Sequence, residues 1–211
     1  MLVVGRRNLL LSAAAFSIIG ACDGASGGAI NEDDVVLGSA DAPVTIIEYA
    51  SATCPHCAHF HEVVWDQLKE NYIDNGRVRF VYREYPTAPA AVAVAAFQVA
   101  RCGGASPEQY FSRLGEVYRQ QGAMFESGSI EGIRQKLIEI GGASGLSEQQ
   151  VLQCVSDEAG AARARRILDA SRQFNITGTP TVIINGQKYE EAGEVTYNGL
   201  ARAIDAALRR N

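Results

Sequence analysis

The stretch APVTIIEYASATCPHCAHFH, residues 42–61, predicts a strand followed at once by a helix. Its first half, residues 42–51, is a continuous β-rich apolar run, which is typical of a strand covered on both faces. Pro55 has no backbone N–H and is favoured at the first position of a helix, so Cys54 is predicted to be the N-cap residue. Apolar residues then recur at helical spacing as far as a glycine stop at Gly76. The Cys-x-x-Cys motif therefore lies at a strand-to-helix junction.

The remainder of the chain predicts a second strand, a helical region and a hairpin. Residues 77–86 have the pattern of a strand that ends at a proline. Four helical segments are expected near residues 89–102, 106–121, 129–140 and 147–174, and the second and fourth begin with capping-box signatures. After them, residues 177–190 predict two strands joined by an Asn185-Gly186 turn, and residues 198–210 predict a final helix. The order is β-α-β, a helical insertion and then β-β-α, which is an α/β fold.

The N-terminus has the layout of an export signal. A basic pair, Arg6 and Arg7, precedes an apolar run from Leu9 to Ala21. As a helix this run would cover only ~20 Å of a hydrocarbon core ~30 Å thick, so a spanning anchor is disfavoured. Residues 1–22 are therefore interpreted as a signal for export to the bacterial periplasm, by a twin-arginine or an ordinary route. Cys22 is either the acylated residue of a lipoprotein or a cysteine of a discarded signal.

Charge and composition limit which functions are expected of the rest of the chain. The 211 residues include 19 basic and 24 acidic side chains, a net charge of −5, and the exported part contains no run of Lys or Arg, so no nucleic-acid partner is predicted. Residues 23–36 are small, polar and acidic, which predicts a flexible tether. Residues 37–211 are long enough for one domain with a full core.

The five cysteines divide into Cys22 and two pairs. Cys54 and Cys57 form the Cys-x-x-Cys motif, whereas Cys102 and Cys154 lie in two separate helical runs. In an oxidising compartment the second pair is expected to form a structural disulfide, worth up to ~4 kcal/mol in the chain-entropy model. The alternative is two unrelated buried thiols.

The element order and two segments, GSADAPVTIIEYASATCPHC at residues 38–57 and TGTPTVIING at residues 177–186, resemble the DsbA family of exported thiol oxidoreductases. The resemblance covers about residues 37–209. It implies a thioredoxin fold with a helical insertion at about residues 87–174, between the β-α-β and β-β-α halves.

The resemblance also implies roles for individual residues. Cys54 and Cys57 would form a redox-active centre, with Pro55 in the same active-site loop. Pro180 would be a cis-proline facing this centre, and it would pair with the extended chain of a client together with Thr179. Thr179 departs from the valine of the best-known oxidases and is similar to the residue of the disulfide isomerases and of some oxidase branches, which leaves the direction of the reaction open.

Physical chemistry supports a reactive Cys54. At an N-cap its sulfur meets unpaired N–H groups and the positive end of the helix dipole, and both favour the thiolate. The dipole contributes only ~0.3 to 1 kcal/mol against ~1.4 kcal/mol per pKa unit, so a large shift needs direct donors. His56 and the free N–H groups of the first turn are the candidates. A stabilised thiolate favours the reduced form, which makes the Cys54–Cys57 disulfide a strong oxidant, and Cys57 is expected to be the buried resolving sulfur.

Glu48 interrupts the apolar strand. Burial of a carboxylate disfavours its charged form, which makes Glu48 a candidate proton acceptor for Cys57. It also matches an acidic position that the family carries six residues before its first cysteine. The alternative is an edge strand with Glu48 in water.

A metal site is the alternative reading of the motif. Cys54, Cys57 and His61 fall on one stripe of one helix, with His59 nearby. A structural zinc site usually draws ligands from two chain segments, and no second Cys or His cluster is present in the sequence. Haem attachment needs a histidine at position 58, which is Ala58. His59 is expected to be a solvated helix residue. His61 lies one turn beyond Cys57, where it could tune the redox site, but a satisfied, partly buried histidine is the favoured interpretation.

These observations predict a monomeric thiol:disulfide oxidase without cofactor or metal. Its partners would be reduced exported client proteins and a membrane quinone-linked protein that reoxidises it. An isomerase or reductase of the same fold is the alternative. Isomerases of this kind usually dimerise through an added N-terminal domain, and only a short tether is expected before the first strand, which favours the oxidase. A periplasmic copper- or zinc-binding protein is the alternative from another class.

Overall fold

The computed structural model describes residues 29–191 and 194–210. The predicted export signal, residues 1–22, and Cys22 lie outside the described residues.

A five-stranded sheet runs through the described part of the chain, in the order β1-β3-β2-β4-β5. Its strands are β1 (Val35–Leu37), β2 (Val44–Ala50), β3 (Val78–Glu84), β4 (Thr181–Ile184) and β5 (Gln187–Lys188). The pair β2 and β3 is parallel and the other pairings are antiparallel. A parallel pair needs a crossover connection, which the helix between these two strands supplies. The predicted hairpin of β4 and β5 is confirmed, with φ of 44° at Asn185 and 79° at Gly186.

Strand β2 lies in the middle of the sheet, and both of its faces are buried. Ile46 belongs to the larger core cluster, whereas Ile47 and Tyr49 belong to a smaller cluster on the opposite face, because successive side chains alternate along a strand. Glu48 is 0 % exposed. The prediction of a strand covered on both faces is confirmed, and the alternative of an edge strand with Glu48 in water is wrong.

The helix after β2, which we label α1, is continuous from residue 55 to residue 73 but changes its winding. It begins as an α-helix, Pro55–Phe60, and contains two π-helical segments, His61–Trp65 and Lys69–Ile73, separated by Asp66–Leu68. π-Helical turns are rare and often occur at functional sites. The first one begins one turn after the Cys-x-x-Cys motif.

Six helices separate β3 from β4, and a last helix follows the hairpin. They are α2 (Ala90–Arg101), α3 (Pro107–Arg119), α4 (Gln121–Glu126), α5 (Ile130–Ala143), α6 (Glu148–Val155), α7 (Glu158–Arg172) and α8 (Tyr197–Leu208). The capping boxes at Ser106 and Ser147 are confirmed. The predicted helix over residues 147–174 is two helices, because Asp157 caps a new one by accepting a hydrogen bond from the backbone N–H of Ala159. None of the described helices has the length and apolar character needed to cross a membrane.

Residues 29–34, directly before β1, pack on the domain, although the sequence predicts a flexible tether over residues 23–36. Residues 23–28 lie outside the described residues. Arg83 donates a 2.8 Å hydrogen bond to Asp34, and Arg166 donates one of 2.6 Å to Asp33. The arginines lie 49 and 133 residues further along the chain, so a local reading of this acidic segment could not anticipate them. The folded domain therefore begins earlier than predicted.

A disulfide links α2 to α6. The Sγ atoms of Cys102 and Cys154 are 2.05 Å apart, and their Cα atoms are 5.6 Å apart. The amide of Gln98 donates to the carbonyl oxygens of Cys154 and Asp157, at 3.1 and 3.0 Å. Both contacts fix α2 against the junction of α6 and α7, where helix ends leave carbonyl groups without helical partners.

Candidate active site

The two cysteines of the motif occupy the first turn of α1, directly after β2. Cys54 is the N-cap residue with extended backbone, φ −87° and ψ 120°, and Pro55 opens the helix. Both thiols are free. Cys57 is 0 % exposed, whereas Cys54 retains 8 % of its surface. An incoming sulfur therefore reaches Cys54 first.

The surroundings of Cys54 lower the pKa of its thiol from 9.0 to about 5. The hydrogen bond from the Cys57 thiol contributes most, and burial of the sulfur acts against it. Further contributions come from the side chain of Thr179 and from the backbone N–H groups of Cys57 and His56. Direct donors therefore account for the shift, and Cys54 is a thiolate at neutral pH.

Cys57 shows the opposite behaviour. Burial raises the pKa of its thiol well above the ordinary range, and the hydrogen bond to Cys54 and the charge of Glu48 raise it further. The backbone N–H of Ser51 donates to its sulfur at 3.4 Å, which opposes the shift. When Cys57 is reduced it therefore holds its proton.

The side chain of His56 pairs with Glu194 and does not serve as the predicted donor to Cys54. Its imidazole is 65 % exposed, and its Nδ1 lies 3.1 Å from Oε1 of Glu194. Nε2 of His59 lies 3.0 Å from the other oxygen of the same carboxylate. Glu194 bridges the two exposed rings, so His56 acts on the Cys54 sulfur through its backbone N–H.

The loop before β4 faces Cys54. The peptide bond between Thr179 and Pro180 is cis. The Cys54 sulfur lies 3.3 Å from the carbonyl oxygen of Thr179, to which it donates when it is protonated. The Thr179 hydroxyl is buried and has no hydrogen-bond partner among the described residues, so it is available to donate to the ionised sulfur. Beside this loop, Phe60 and Val195 help to line a groove of about 430 Å³.

Glu48 and His61 lie together in the core near Cys57. Nε2 of His61 is 3.7 Å from Oε2 of Glu48, and the two side chains are 4 % and 0 % exposed. Within the described residues, neither carboxylate oxygen of Glu48 and neither ring nitrogen of His61 has a hydrogen-bond partner. The prediction that His61 is a satisfied histidine is therefore wrong. No sequence pattern predicts the pair, because Glu48 approaches His61 from a different element, β2.

Aromatic side chains surround this pair. The centroid of the His61 ring lies 4.9 Å from that of Trp65 and 4.5 Å from that of Tyr118. The hydroxyls of Tyr118 and Tyr82 are 2.7 Å apart. Burial raises the pKa of both tyrosines well above the ordinary value, so both phenols stay neutral.

Gln121 is a site residue that the sequence analysis missed. It is the first residue of α4 and is buried, and its Nε2 donates to the carbonyl oxygens of Ala52 and Cys54, at 2.9 and 3.2 Å. A polar residue near a helix boundary gives no indication of such a contact, because the acceptors lie about 70 residues earlier. The helical insertion thereby fixes the turn that carries Cys54.

The metal-binding alternative is not supported. Across residues 29–191 and 194–210, no group of three or more His, Cys, Asp or Glu side chains is arranged to hold a metal ion. The ring of His61, which that alternative required beside Cys54 and Cys57, lies against Glu48 instead.

Comparison with known proteins agrees with this geometry. The family model described as thioredoxin matches residues 30–206. A Rickettsia bellii protein, provisionally named as a protein-disulfide oxidoreductase, is 29 % identical over 188 residues and is matched over 86 % of this chain and 67 % of its own length. Disulfide bond formation protein D of Bacillus subtilis is 21 % identical over 187 residues, covering 89 % of this chain and 82 % of that protein. A Rickettsia conorii relative, with a similar provisional name and 30 % identity, is matched over 85 % of this chain and only 62 % of its own length.

Solved structures extend the likeness to the fold. Alpha-DsbA1 of Wolbachia pipientis has a TM-score of 0.73 and 24 % identity, covering 86 % of this chain and 94 % of that one. Oxidised BdbD of Bacillus subtilis has a TM-score of 0.70 and 19 % identity, covering 84 % of this chain and 94 % of that one. The chain therefore belongs to the thioredoxin family and has the fold of its DsbA-type members.

Proposed function

We propose that this protein is an exported thiol:disulfide oxidoreductase that works as an oxidase and introduces disulfides into client proteins. The observation that carries the proposal is the opposite shift of two neighbouring thiols. The pKa of Cys54 is lowered to about 5, while the pKa of Cys57 is raised. One sulfur is therefore a good leaving group that clients can reach, and the other is a buried resolving sulfur.

The reaction runs in two exchanges. A client thiolate attacks Sγ of Cys54 in the Cys54–Cys57 disulfide, and Cys57 leaves with the electron pair and takes up a proton. A second client thiolate attacks the client sulfur of the mixed disulfide, and Cys54 leaves as a thiolate. The client is oxidised by two electrons, and the protein retains them as one thiolate and one thiol.

The size of the Cys54 shift favours oxidation. Lowering its pKa from 9.0 to about 5 stabilises the reduced form at pH 7 by on the order of 3 kcal/mol, at ~1.4 kcal/mol for each unit by which the lowered pKa lies below the working pH. For a two-electron couple this corresponds to on the order of 60 mV in the oxidising direction. The disulfide is therefore expected to be donated readily.

The groove beside Pro180 is suited to an extended client chain. The Thr179 carbonyl lies 3.3 Å from the Cys54 sulfur, and the apolar side chains of Phe60 and Val195 are adjacent. Clients of this kind would be unfolded or reduced exported proteins, and a quinone-linked membrane protein would reoxidise the pair. The Cys102–Cys154 disulfide supports an oxidising compartment such as the periplasm.

Equilibration with glutathione buffers tests the direction. The fraction of the Cys54–Cys57 pair that is oxidised is measured by alkylation and mass spectrometry at a series of thiol to disulfide ratios. We expect a potential well above the ~−270 mV of thioredoxin. The oxidised protein should also form a disulfide in a dithiol peptide in a single turnover.

Two variants control this experiment. Cys54→Ser should abolish peptide oxidation. The Cys102→Ala, Cys154→Ala double variant should retain it, because that disulfide links α2 to α6 and takes no part in thiol exchange. A potential as low as that of thioredoxin would contradict the oxidase. Rearrangement of scrambled disulfides without net oxidation of reduced clients would identify an isomerase instead.

A further inference from the structure

The buried pair of Glu48 and His61 is the feature that thiol exchange alone does not explain. Four polar atoms of these two side chains are buried without hydrogen-bond partners among the described residues. Burying an unpaired polar group costs ~1 to 3 kcal/mol in proteins, so native structures rarely retain several together unless they have a role. The π-helical segment His61–Trp65 begins at this histidine, and it marks the same place.

A cavity between α1 and the helices α3 and α4 adjoins His61. It has a volume of about 540 Å³, and His61, Trp65 and Tyr118 belong to its lining. The exposed side chains of Glu62 and Asp66 also line it, so it opens to solvent. His61 therefore stands between this cavity and the fully buried Glu48.

We propose that His61 carries protons between water in this cavity and Glu48, so that Glu48 can protonate and deprotonate the buried Cys57. The relay rests on the proposed function, because it concerns the proton that Cys57 exchanges in each turnover. His61 acts through Glu48 and touches neither sulfur, so it is a positioning residue for the proton.

The chemistry of Cys57 requires such a route. When a client thiolate breaks the Cys54–Cys57 bond, the electron pair departs on the Cys57 sulfur, which is 0 % exposed. Its charge is disfavoured there by burial and by Glu48, which raise the pKa of the thiol. The sulfur takes a proton from the Glu48 carboxyl group, Glu48 takes one from the His61 ring, and the ring takes one from water. Reoxidation moves the proton outward by the same atoms.

The geometry of His61 suits this transfer. Its two ring nitrogens can accept a proton on one side and release one on the other, and the 3.7 Å to Glu48 is only slightly longer than a hydrogen bond. The ionisable groups around the ring are Glu48 from β2, Tyr82 from β3 and Tyr118 from α3. The two tyrosines remain neutral because burial raises their pKa.

Two of the charged side chains that line the cavity, Arg119 and Glu62, lie close to other charged or titratable side chains. Arg119 pairs with Glu116 at 2.6 Å, and Glu62 lies 3.7 Å from His59. Asp66 lines the cavity as an exposed carboxylate. On its buried side the His61 ring faces the carboxylate of Glu48, at 3.7 Å.

Single-turnover oxidation of a dithiol peptide tests the relay, with acid quench and alkylation as the readout. The variants are His61→Gln, which is polar and takes up no proton near neutral pH, and His61→Ala, which opens the site to the cavity. General acid catalysis is typically worth ~10² to 10⁴ in rate, so we expect both to react at least about tenfold more slowly at pH 7. Their equilibrium with glutathione should stay close to that of the unmodified protein, because a relay changes rates and not end states.

Two readouts separate a relay from a merely structural role. Added imidazole should restore the rate of His61→Ala through the cavity and should leave His61→Gln and the matched control Asp66→Asn unchanged. Because the two groups act in series, the His61→Gln, Glu48→Gln double variant should be no slower than the slower single variant. If the rate loss of the double variant equals the product of the losses of the two single variants, the residues act independently and the relay is overturned.

The outcomes distinguish the two proposals. If the unmodified protein oxidises the peptide and His61→Gln does so at the same rate from pH 5 to 9, the relay is overturned and the proposed function stands. Unmodified protein that fails to oxidise the peptide overturns the proposed function and the relay with it. If His61→Ala does not fold, the rates of His61→Gln and of the double variant test the relay. If these variants do not fold either, the unmodified protein is compared in H₂O and D₂O, and identical single-turnover rates in the two solvents overturn the relay.

Discussion

Cys54 and Cys57 are three residues apart in one helix, yet their thiols shift in opposite directions. The N-cap position gives Cys54 hydrogen-bond donors and some exposure, whereas one helical turn buries Cys57 completely. Hydrogen bonds stabilise the charged form of one sulfur, and desolvation destabilises the charged form of the other. At the residue scale the site therefore depends on which donors reach Cys54.

Removing donors should raise the pKa of Cys54 in a defined order. Cys57→Ala removes the strongest contribution, and Thr179→Val removes a weaker one, so the first change should raise the pKa more than the second. The pH dependence of alkylation by iodoacetamide measures it, with a midpoint at about 5 expected for the unmodified protein. His56→Ala is the control, because His56 donates through its backbone and the midpoint should not move. A midpoint near 9.0 in the unmodified protein would contradict the assignment.

The stability of the reduced protein should depend on pH with a definite sign. Cys54 has a folded pKa of about 5 against an ordinary value of 9.0. Its stabilising contribution is thus complete above pH 9, partial at pH 7 and lost as the pH falls through about 5. The oxidised pair has no such thiol to titrate. The melting temperature of the selectively reduced protein should therefore fall relative to that of the oxidised protein between about pH 7 and pH 4, and a constant difference would be inconsistent with this linkage.

At the scale of elements, local signals predicted what local interactions determine. The capping boxes and the Asn185-Gly186 turn depend on neighbours within a few residues, and both are confirmed. The burial of β2 is confirmed as well, because its own continuous apolar run indicates a strand that is covered on both faces. Strand β1 depends on a partner far along the chain, because it pairs with β3. The break at Asp157 is a local feature, since its side chain caps the next helix through Ala159, and the helical pattern over residues 147–174 concealed it. The same distinction applies to the site, where Cys54 and Pro55 were predictable and the contacts of Gln121 and His61 were not.

The disulfide between α2 and α6 is expected to act on stability. Replacing Cys102 and Cys154 together by alanine should lower the free energy of unfolding by ~2 to 4 kcal/mol, because the unfolded chain loses the constraint of a closed loop. Urea unfolding of the oxidised double variant measures the loss. The pKa of Cys54 should stay near 5 in the same protein. Loss of peptide oxidation with unchanged stability would show that this disulfide has another role.

At the scale of the whole molecule, a buried ionic network joins the insertion to the sheet. Glu84 at the end of β3 accepts hydrogen bonds of 2.7 Å from Arg101 of α2 and Arg163 of α7, and one of 3.0 Å from the hydroxyl of Tyr110 of α3. The Glu84 side chain is 3 % exposed. One carboxylate thus connects four elements that are distant in sequence.

Glu84→Ala should destabilise the whole domain. Removing one partner of a buried ion pair leaves the others without compensation, which costs ~3 to 5 kcal/mol. Glu116→Ala is the matched control, because its arginine partner, Arg119, is 68 % exposed, and exposed pairs contribute less than ~1 kcal/mol. Chemical denaturation measures both variants. Equal losses would show that the Glu84 network does not hold the insertion to the sheet.

The two bonds from Gln121 to the carbonyl oxygens of Ala52 and Cys54 have a consequence for protein engineering. A chimera that exchanges the helical insertion for that of a relative would also remove the support of the catalytic turn. Such a graft would have to keep an amide side chain at the start of α4, and the redox properties of the hybrid would report whether it did.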